Sequence, residues 1–251
     1  MTTPPLPFAQ SFKSRLRRDA TLPLIWLALG SPALAEIATL AMPSGLVIDL
    51  QHGLWERGAL ESAVGIAGTR IPVIARTADF SPTAVGVALD AGVAAVMAPL
   101  VETADDARTL ASAGRYPPIG RRSGGGLRPL LAGYEGMLAA NQHVALGAMI
   151  ETALGARNAD AICAVEGIDF VFIGTGDLRL SMPSASSAEL AACCARIRDA
   201  AHGRGLPCGL FTSDAAAARQ AFADGYEMAV VANDIGVAMH GFAQAMQFHP
   251  A

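Results

Sequence analysis

A chain of 251 residues that is 52% hydrophobic, 16% charged and positive in mean hydropathy (+0.38) is not intrinsically disordered and can bury one large core. Its net charge of −4 excludes electrostatic capture of nucleic acid or of an acidic membrane face, since either needs a basic surplus. The cationic residues include a single lysine, Lys13, which all but closes off Schiff-base chemistry and a P-loop.

In chain order, residues 1–20 read as a polar leader containing Lys13, Arg15, Arg17 and Arg18. Basic residues 13–18, the apolar run 22–29 and Ala33, Leu34, Ala35 together resemble a secretory signal with an Ala-x-Ala cleavage site. Pro23 inside the run, the long stretch before it and the loss of a needed strand weigh against cleavage. The expected compartment is the cytoplasm, because Cys163, Cys193, Cys194 and Cys208 show neither disulfide nor metal spacing. No uncharged apolar run has the length of a membrane span.

Residues 21–251 form the second expected segment, where short apolar runs alternate with Ala-rich stretches of helical period. The expected strands are 22–29, 46–50, 73–76, 94–98, 145–150, 170–173, 207–210 and 228–231. Helices are expected over 32–41, 82–91, 104–113, 154–165 and 188–202, among others. Ser31, Ser81, Thr103 and the pair Ser213 and Asp214 mark helix starts, and Gly92, Gly114, Gly167, Gly203 and Gly225 mark stops. Eight alternations without a dinucleotide glycine turn after the first strand point to a single-domain α/β protein, a closed (β/α)8 TIM barrel. One long connection, from 99 to about 134, carries Gly120, Arg121, Arg122, Ser123, Gly124, Gly125 and Gly126. It reads either as a substrate lid or as an arginine-bearing surface loop.

In such a barrel the chemistry sits where strands end. The second strand ends in Asp49, Gln51 and His52, the third in Arg76, and the fifth in Glu151. The sixth reaches Asp177 through Gly174, Thr175 and Gly176, and the eighth offers Asn233 and Asp234. Glu151 and Asp177 form a hard-oxygen pair suited to Mg²⁺ or Mn²⁺, or else Asp177 caps a helix and Glu151 pairs with Arg157. His52, flanked by Asp49, is a candidate general base, or a histidine bonded into its loop. Arg76 needs an anionic partner, which is a bound substrate oxygen, Asp49 or Glu151. His143, His202, His240 and His249 carry none of the expected chemistry.

In this order these residues resemble the HpcH/HpaI family of class II pyruvate aldolases, acting on 4-hydroxy-2-oxoheptanedioate or 2-dehydro-3-deoxyglucarate. The resemblance runs from about Leu24 to Val231 and rests on several short motifs. They are Ser31, Pro32 and Glu36; Ile48, Asp49, Gln51, His52 and Gly53; Leu89 to Gly92; Arg115 to Pro118 with Gly120 and Arg121; Ile150 to Thr152; and Gly167, Asp169, Ile173, Gly174, Asp177 and Leu178. It implies a divalent cation (Mg²⁺, Mn²⁺ or Co²⁺) held by Glu151 and Asp177, with His52 as base and Arg76 polarising the keto oxygen. It also implies that Asp49 orients His52, that backbone around Gly176 meets the substrate carboxylate, and that Asp90 approaches the histidine of a neighbouring subunit. A homo-oligomer follows, a hexamer built of dimers.

Gln51 stands in place of the family's usual glutamate, Met149 where a glutamine is often found, and Arg179, Met182 and Pro183 interrupt the usual Ser-rich run. The implied reaction is reversible cleavage of a 4-hydroxy-2-oxo acid to pyruvate and an aldehyde. The alternatives are oxaloacetate decarboxylation on the same scaffold, and a non-catalytic barrel that binds a carboxylate or serves assembly.

Overall fold

The computed structural model describes residues 9–247, so His249 lies outside the described residues. Eight parallel strands close in chain order into one barrel. They are β1 Leu22–Leu27, β2 Gly45–Asp49, β3 Val73–Arg76, β4 Ala95–Ala98, β5 Ala145–Ile150, β6 Phe170–Ile173, β7 Cys208–Leu210 and β8 Met228–Asn233. All eight runs expected from the sequence are strands.

The first six helices are α1 Ala9–Arg18, α2 Pro32–Thr39, α3 Arg57–Ala67, α4 Pro82–Asp90, α5 Ala104–Ala113 and α6 Leu127–His143. The rest are α7 Ala153–Arg157, α8 Ala159–Cys163, α9 Thr175–Ser181, α10 Ser187–His202, α11 Ala215–Ala223 and α12 Asp234–Ala245. Their starts follow the capping chemistry of the sequence. Ser31 and Ser81 accept from the amides of Leu34 and Ala84 ahead of a proline, Thr103 builds a capping box with Asp106, and Asp214 caps α11.

Three expectations change. The helix expected over 154–165 is two short helices, broken at Asn158, whose side chain donates to the Glu102 carbonyl at 2.7 Å. Of the glycine stops, Gly92, Gly167 and Gly225 adopt positive φ, whereas Gly114 and Gly203 end their helices in the right-handed region. The connection expected to run to about 134 ends earlier: past the expected helix 104–113, which forms as α5, it gives way to α6 at Leu127, a helix kinked at Gly133.

The position of that connection follows from the winding. Each helix returns from a strand's C-terminal end to the next strand's start, so helix C-termini lie at the end of the barrel remote from the mouth. Asp90, the last residue of α4, pairs with Arg122 at 3.0 Å. The amides of Arg121 and Arg122 donate to Ser112 and Arg115 at the end of α5. The glycine–arginine segment is therefore fastened to the far end and is not a lid over this chain's own mouth.

The barrel interior is a stack of alternating strand residues. Leu22, Leu24 and Trp26 of β1 meet Phe170 and Phe172 of β6, Met97 of β4 and Val230 of β8. Gly147 and Gly209 make room for the two phenyl rings, because a Cβ on either would sit 2.2–2.3 Å from Phe170 or Phe172. Residues 9–18, read from sequence as part of a polar leader, form α1, and its buried Phe12 and Leu16 join this interior cluster. Each fully buried aromatic or leucine side chain contributes roughly 2 kcal/mol. The single lysine sits on the same helix, with Lys13 Nζ 2.8 Å from Asp169, which also binds Arg115 at 2.8 Å. A second, larger cluster fills the space between the outer strand faces and the helices. Among the described residues no helix is long and apolar enough to cross a membrane.

Candidate active site

A cavity of about 320 Å³ opens at the C-terminal ends of the strands, lined by Asp49, His52, Arg76, Glu151, Gly176 and Asp177 among others. Six of the seven residues singled out from the sequence thus meet in one place. Asp90 is the seventh, and within one chain it lies at the other end of the barrel.

Register explains the closest contact. Asp49 and Arg76 end neighbouring strands at the same level, paired across β2 and β3. Arg76 donates from Nε to Asp49 Oδ1 at 2.9 Å and from Nη2 to Oδ2 at 2.5 Å, with both side chains buried. Trp26 supports the pair from below: its ring centroid is 4.9 Å from the guanidinium carbon, and its Nε1 donates to Asp49 Oδ2 at 3.3 Å. Burial alone would raise the Asp49 pKa, but Arg76 and the amides of Gln51 and His52 hold it below the ordinary value.

This arrangement corrects one expectation. Asp49 does not orient the His52 imidazole; its Oδ1 accepts the backbone N–H groups of Gln51 and His52, each at 3.1 Å. It shapes the turn that carries His52 instead. Gly53 completes the turn, since a Cβ there would sit 2.3 Å from the Asp49 carbonyl oxygen. The His52 ring is exposed at the rim of the cavity and makes no side-chain hydrogen bond among the described residues.

Glu151 follows β5 and is 1% exposed. Its Oε1 accepts from the Leu100 amide at 2.8 Å, while Oε2 is buried without a partner among the described residues. It does not pair with Arg157. Burial, followed by the nearby Asp177 charge, pushes its carboxyl from the ordinary 4.5 up to about 7. Asp177 stands half-buried in the first turn of α9, where it makes no side-chain cap. Gly174 keeps the approach open, because a Cβ there would lie 2.2 Å from Glu151 Oε2.

An orphaned buried carboxylate oxygen beside a second carboxylate fits a hard divalent cation that keeps open positions for water and substrate oxygens. Among the described residues no group of three or more His, Cys, Asp or Glu side chains is arranged to hold a metal ion, so at the mouth the pair Glu151 and Asp177 is the candidate donor set.

Sequence reasoning missed the apolar floor. Phe211 stacks edge-on against Trp26 at 5.2 Å, and Phe172 lies 6.1 Å from it. The alternation Leu22, Leu24, Trp26 was the available signal that Trp26 faces inward. Asp234 belongs to the rim; both its oxygens accept from Ala28, and Oδ2 also from Leu29, which ties the end of β1 to the start of α12.

The sequence model of the HpcH/HpaI aldolase/citrate lyase family matches residues 23–241. A hydroxypyruvate/pyruvate aldolase of Rhizorhabdus wittichii is 36% identical over 221 residues, covering 84% of this chain and 87% of its own. A 2-keto-3-deoxy-L-rhamnonate aldolase of Salmonella schwarzengrund is 32% identical over 235 residues, covering 89% and 86%. The crystal structure of an HpcH/HpaI aldolase/citrate lyase family protein from Burkholderia cenocepacia J2315 superposes with a TM-score of 0.88 at 30% identity, covering 95% and 98%.

Proposed function

The chain belongs to the HpcH/HpaI aldolase/citrate lyase family, whose named relatives make it a carbon–carbon lyase, and from that premise we propose that it cleaves a 4-hydroxy-2-oxo acid reversibly to pyruvate and an aldehyde. The observation that carries this reading is the buried, unpartnered oxygen of Glu151 beside Asp177, facing the Arg76 guanidinium across one small cavity.

A divalent cation held by Glu151 and Asp177 would supply Lewis-acid stabilisation of the charge on the substrate's keto oxygen and carboxylate. The chain's own groups do the rest. Arg76 spends Nε and Nη2 on Asp49, which fixes its plane and leaves Nη1 for the keto oxygen on which negative charge develops. His52 takes the proton of the C4 hydroxyl as the C3–C4 bond breaks to release the aldehyde, and a proton from solvent then reaches C3 of the enolate to give pyruvate. The exposed place of His52 at the rim suits a base that must exchange protons with solvent. Backbone around Gly176, at the start of α9, meets the substrate carboxylate. Trp26 and Phe211 form an apolar wall that excludes water from the enolate side.

The lysine inventory supports the same reading. Lys13 is ion-paired at the far end of the barrel, out of reach of any carbonyl at the mouth. Self-association fits the exposed apolar side chains Val237, Met239 and Phe242 of α12 and Met246 that follows it. A hexamer built of dimers would let Asp90 approach His52 of a neighbouring subunit, and light scattering on the purified chain tests the assembly. The decisive assay is pyruvate release from a 4-hydroxy-2-oxo acid before and after chelation. Turnover is expected to vanish on chelation and return with Mg²⁺, Mn²⁺ or Co²⁺; turnover that survives removal of all metal sinks the reading.

A further inference from the structure

At the end of the barrel remote from the mouth, a cavity of about 80 Å³ lies between α4, the segment after α5 and the kinked helix α6. Leu89, Val93, Met137 and Ala140 give it a largely apolar wall. Tyr116, Arg122, Arg128 and His143 interrupt that wall with polar groups. Tyr116 is 5% exposed and Arg122 is 7% exposed, and both Tyr116 Oη and Arg122 Nε are buried with no partner among the described residues.

Both residues line the cavity, and the Arg122 guanidinium carbon lies 4.5 Å from the Tyr116 ring centroid, so the two side chains are in contact. Arg122 cannot turn its Nε to solvent without releasing Asp90, which holds Nη2 at 3.0 Å. Burial raises the Tyr116 phenol, so the hydroxyl stays protonated and can donate. Arg128 borders the same space, and Glu61 takes only its Nη nitrogens. Leaving a buried donor unmet costs about 1–3 kcal/mol, and here two stand together at an apolar cavity.

We propose that this cavity binds a short monocarboxylate, with one carboxylate group accepting from Arg122 Nε and Tyr116 Oη and the alkyl end resting on the apolar wall. Size sets the guest. The space is about half the ~150 Å³ that accepts benzene, which suits a guest of the size of acetate or propionate. Within one chain the site lies at the opposite end of the barrel from the mouth, and its test does not depend on the aldolase reading.

The test is titration of sodium acetate and sodium propionate into the full chain with a chelator present, so that no metal at the mouth can recruit a carboxylate. Calorimetry should show saturable binding of one molecule per chain, with a matching rise in melting temperature. Tyr116→Phe keeps the ring and removes the donor, and should weaken binding about tenfold or more. Ala140→Leu fills the cavity and should abolish binding, whereas Arg76→Ala should leave it unchanged. Equal binding by Tyr116→Phe, Ala140→Leu and the unmodified chain overturns the proposal. So does a propionate-soaked crystal in which ordered water alone occupies the cavity.

Discussion

Asp49 and Arg76 meet at the C-terminal ends of adjacent strands as a two-pronged ion pair, 2.9 and 2.5 Å long, with the indole of Trp26 packed beneath it. Because the carboxylate also accepts the amides of Gln51 and His52, one buried side chain fixes both the guanidinium and the turn that carries the candidate base.

Removing one half of such a pair leaves the other charged and buried. Asp49→Ala is expected to lower the unfolding free energy by roughly 3 kcal/mol, measured by urea denaturation. It should also abolish turnover, since Arg76 and the His52 turn lose their common anchor. A variant that keeps full stability would show that Arg76 is satisfied by solvent.

Glu151 behaves in the opposite sense. Its folded-state value, about 7, lies above the ordinary 4.5, so in metal-free protein its contribution to stability is complete below 4.5 and is lost as the pH rises through 7. Glu151→Gln should remove this loss and make metal-free protein more stable above neutrality, by on the order of 3 kcal/mol. Asp49, held below its ordinary value, has the reverse sign: its contribution is present above that value and is lost only as the pH falls through the lowered one. Thermal melts of both variants across the pH range separate the two effects.

The same titration governs cation binding, which requires the carboxylate form. Affinity for Mn²⁺ should climb as the pH approaches 7 and level off above it, read by calorimetry. Affinity independent of pH across that range would place the ion elsewhere.

Gly174→Ala probes the cradle without touching a charged group. The added methyl would lie 2.2 Å from Glu151 Oε2 and must displace that side chain. We expect a loss of Mn²⁺ affinity of roughly tenfold to a hundredfold with the circular dichroism spectrum unchanged. Unaltered affinity would mean that Oε2 is not a ligand.

Aldol cleavage and decarboxylation separate at His52. Cleavage needs a base for the C4 hydroxyl, whereas loss of CO₂ from oxaloacetate needs only stabilisation of the enolate. His52→Ala should therefore lower the aldol rate by about a hundredfold or more while sparing decarboxylation, and Arg76→Ala should depress both. Loss of decarboxylation in His52→Ala would assign the histidine to binding instead.

The eight strands were legible because each is a short apolar run bounded by turn residues, and the candidate site was legible because polar side chains end those runs. Glu151 directly after Ile150 and Asp177 after its glycine turn needed no more than that. The Asp49–Arg76 pair was legible only as one of three options for Arg76, because the two residues are 27 apart and the register of β2 on β3 is what brings them level. Local sequence favoured His52 as the partner, three residues on, but the turn delivers its amide and not its ring. Composition could not choose between the two readings of the glycine–arginine segment, lid or surface loop, because its place is set by backbone bonds to Ser112 and Arg115, which belong to the winding of the barrel.

An aldolase works in the presence of aldehydes, which condense with accessible amines and slowly inactivate many enzymes. Here one side-chain amine exists in the whole sequence, and it is clasped by Asp169 beneath the barrel floor. With so few amines to modify, the chain should tolerate aldehydes and resist cross-linking by dialdehydes.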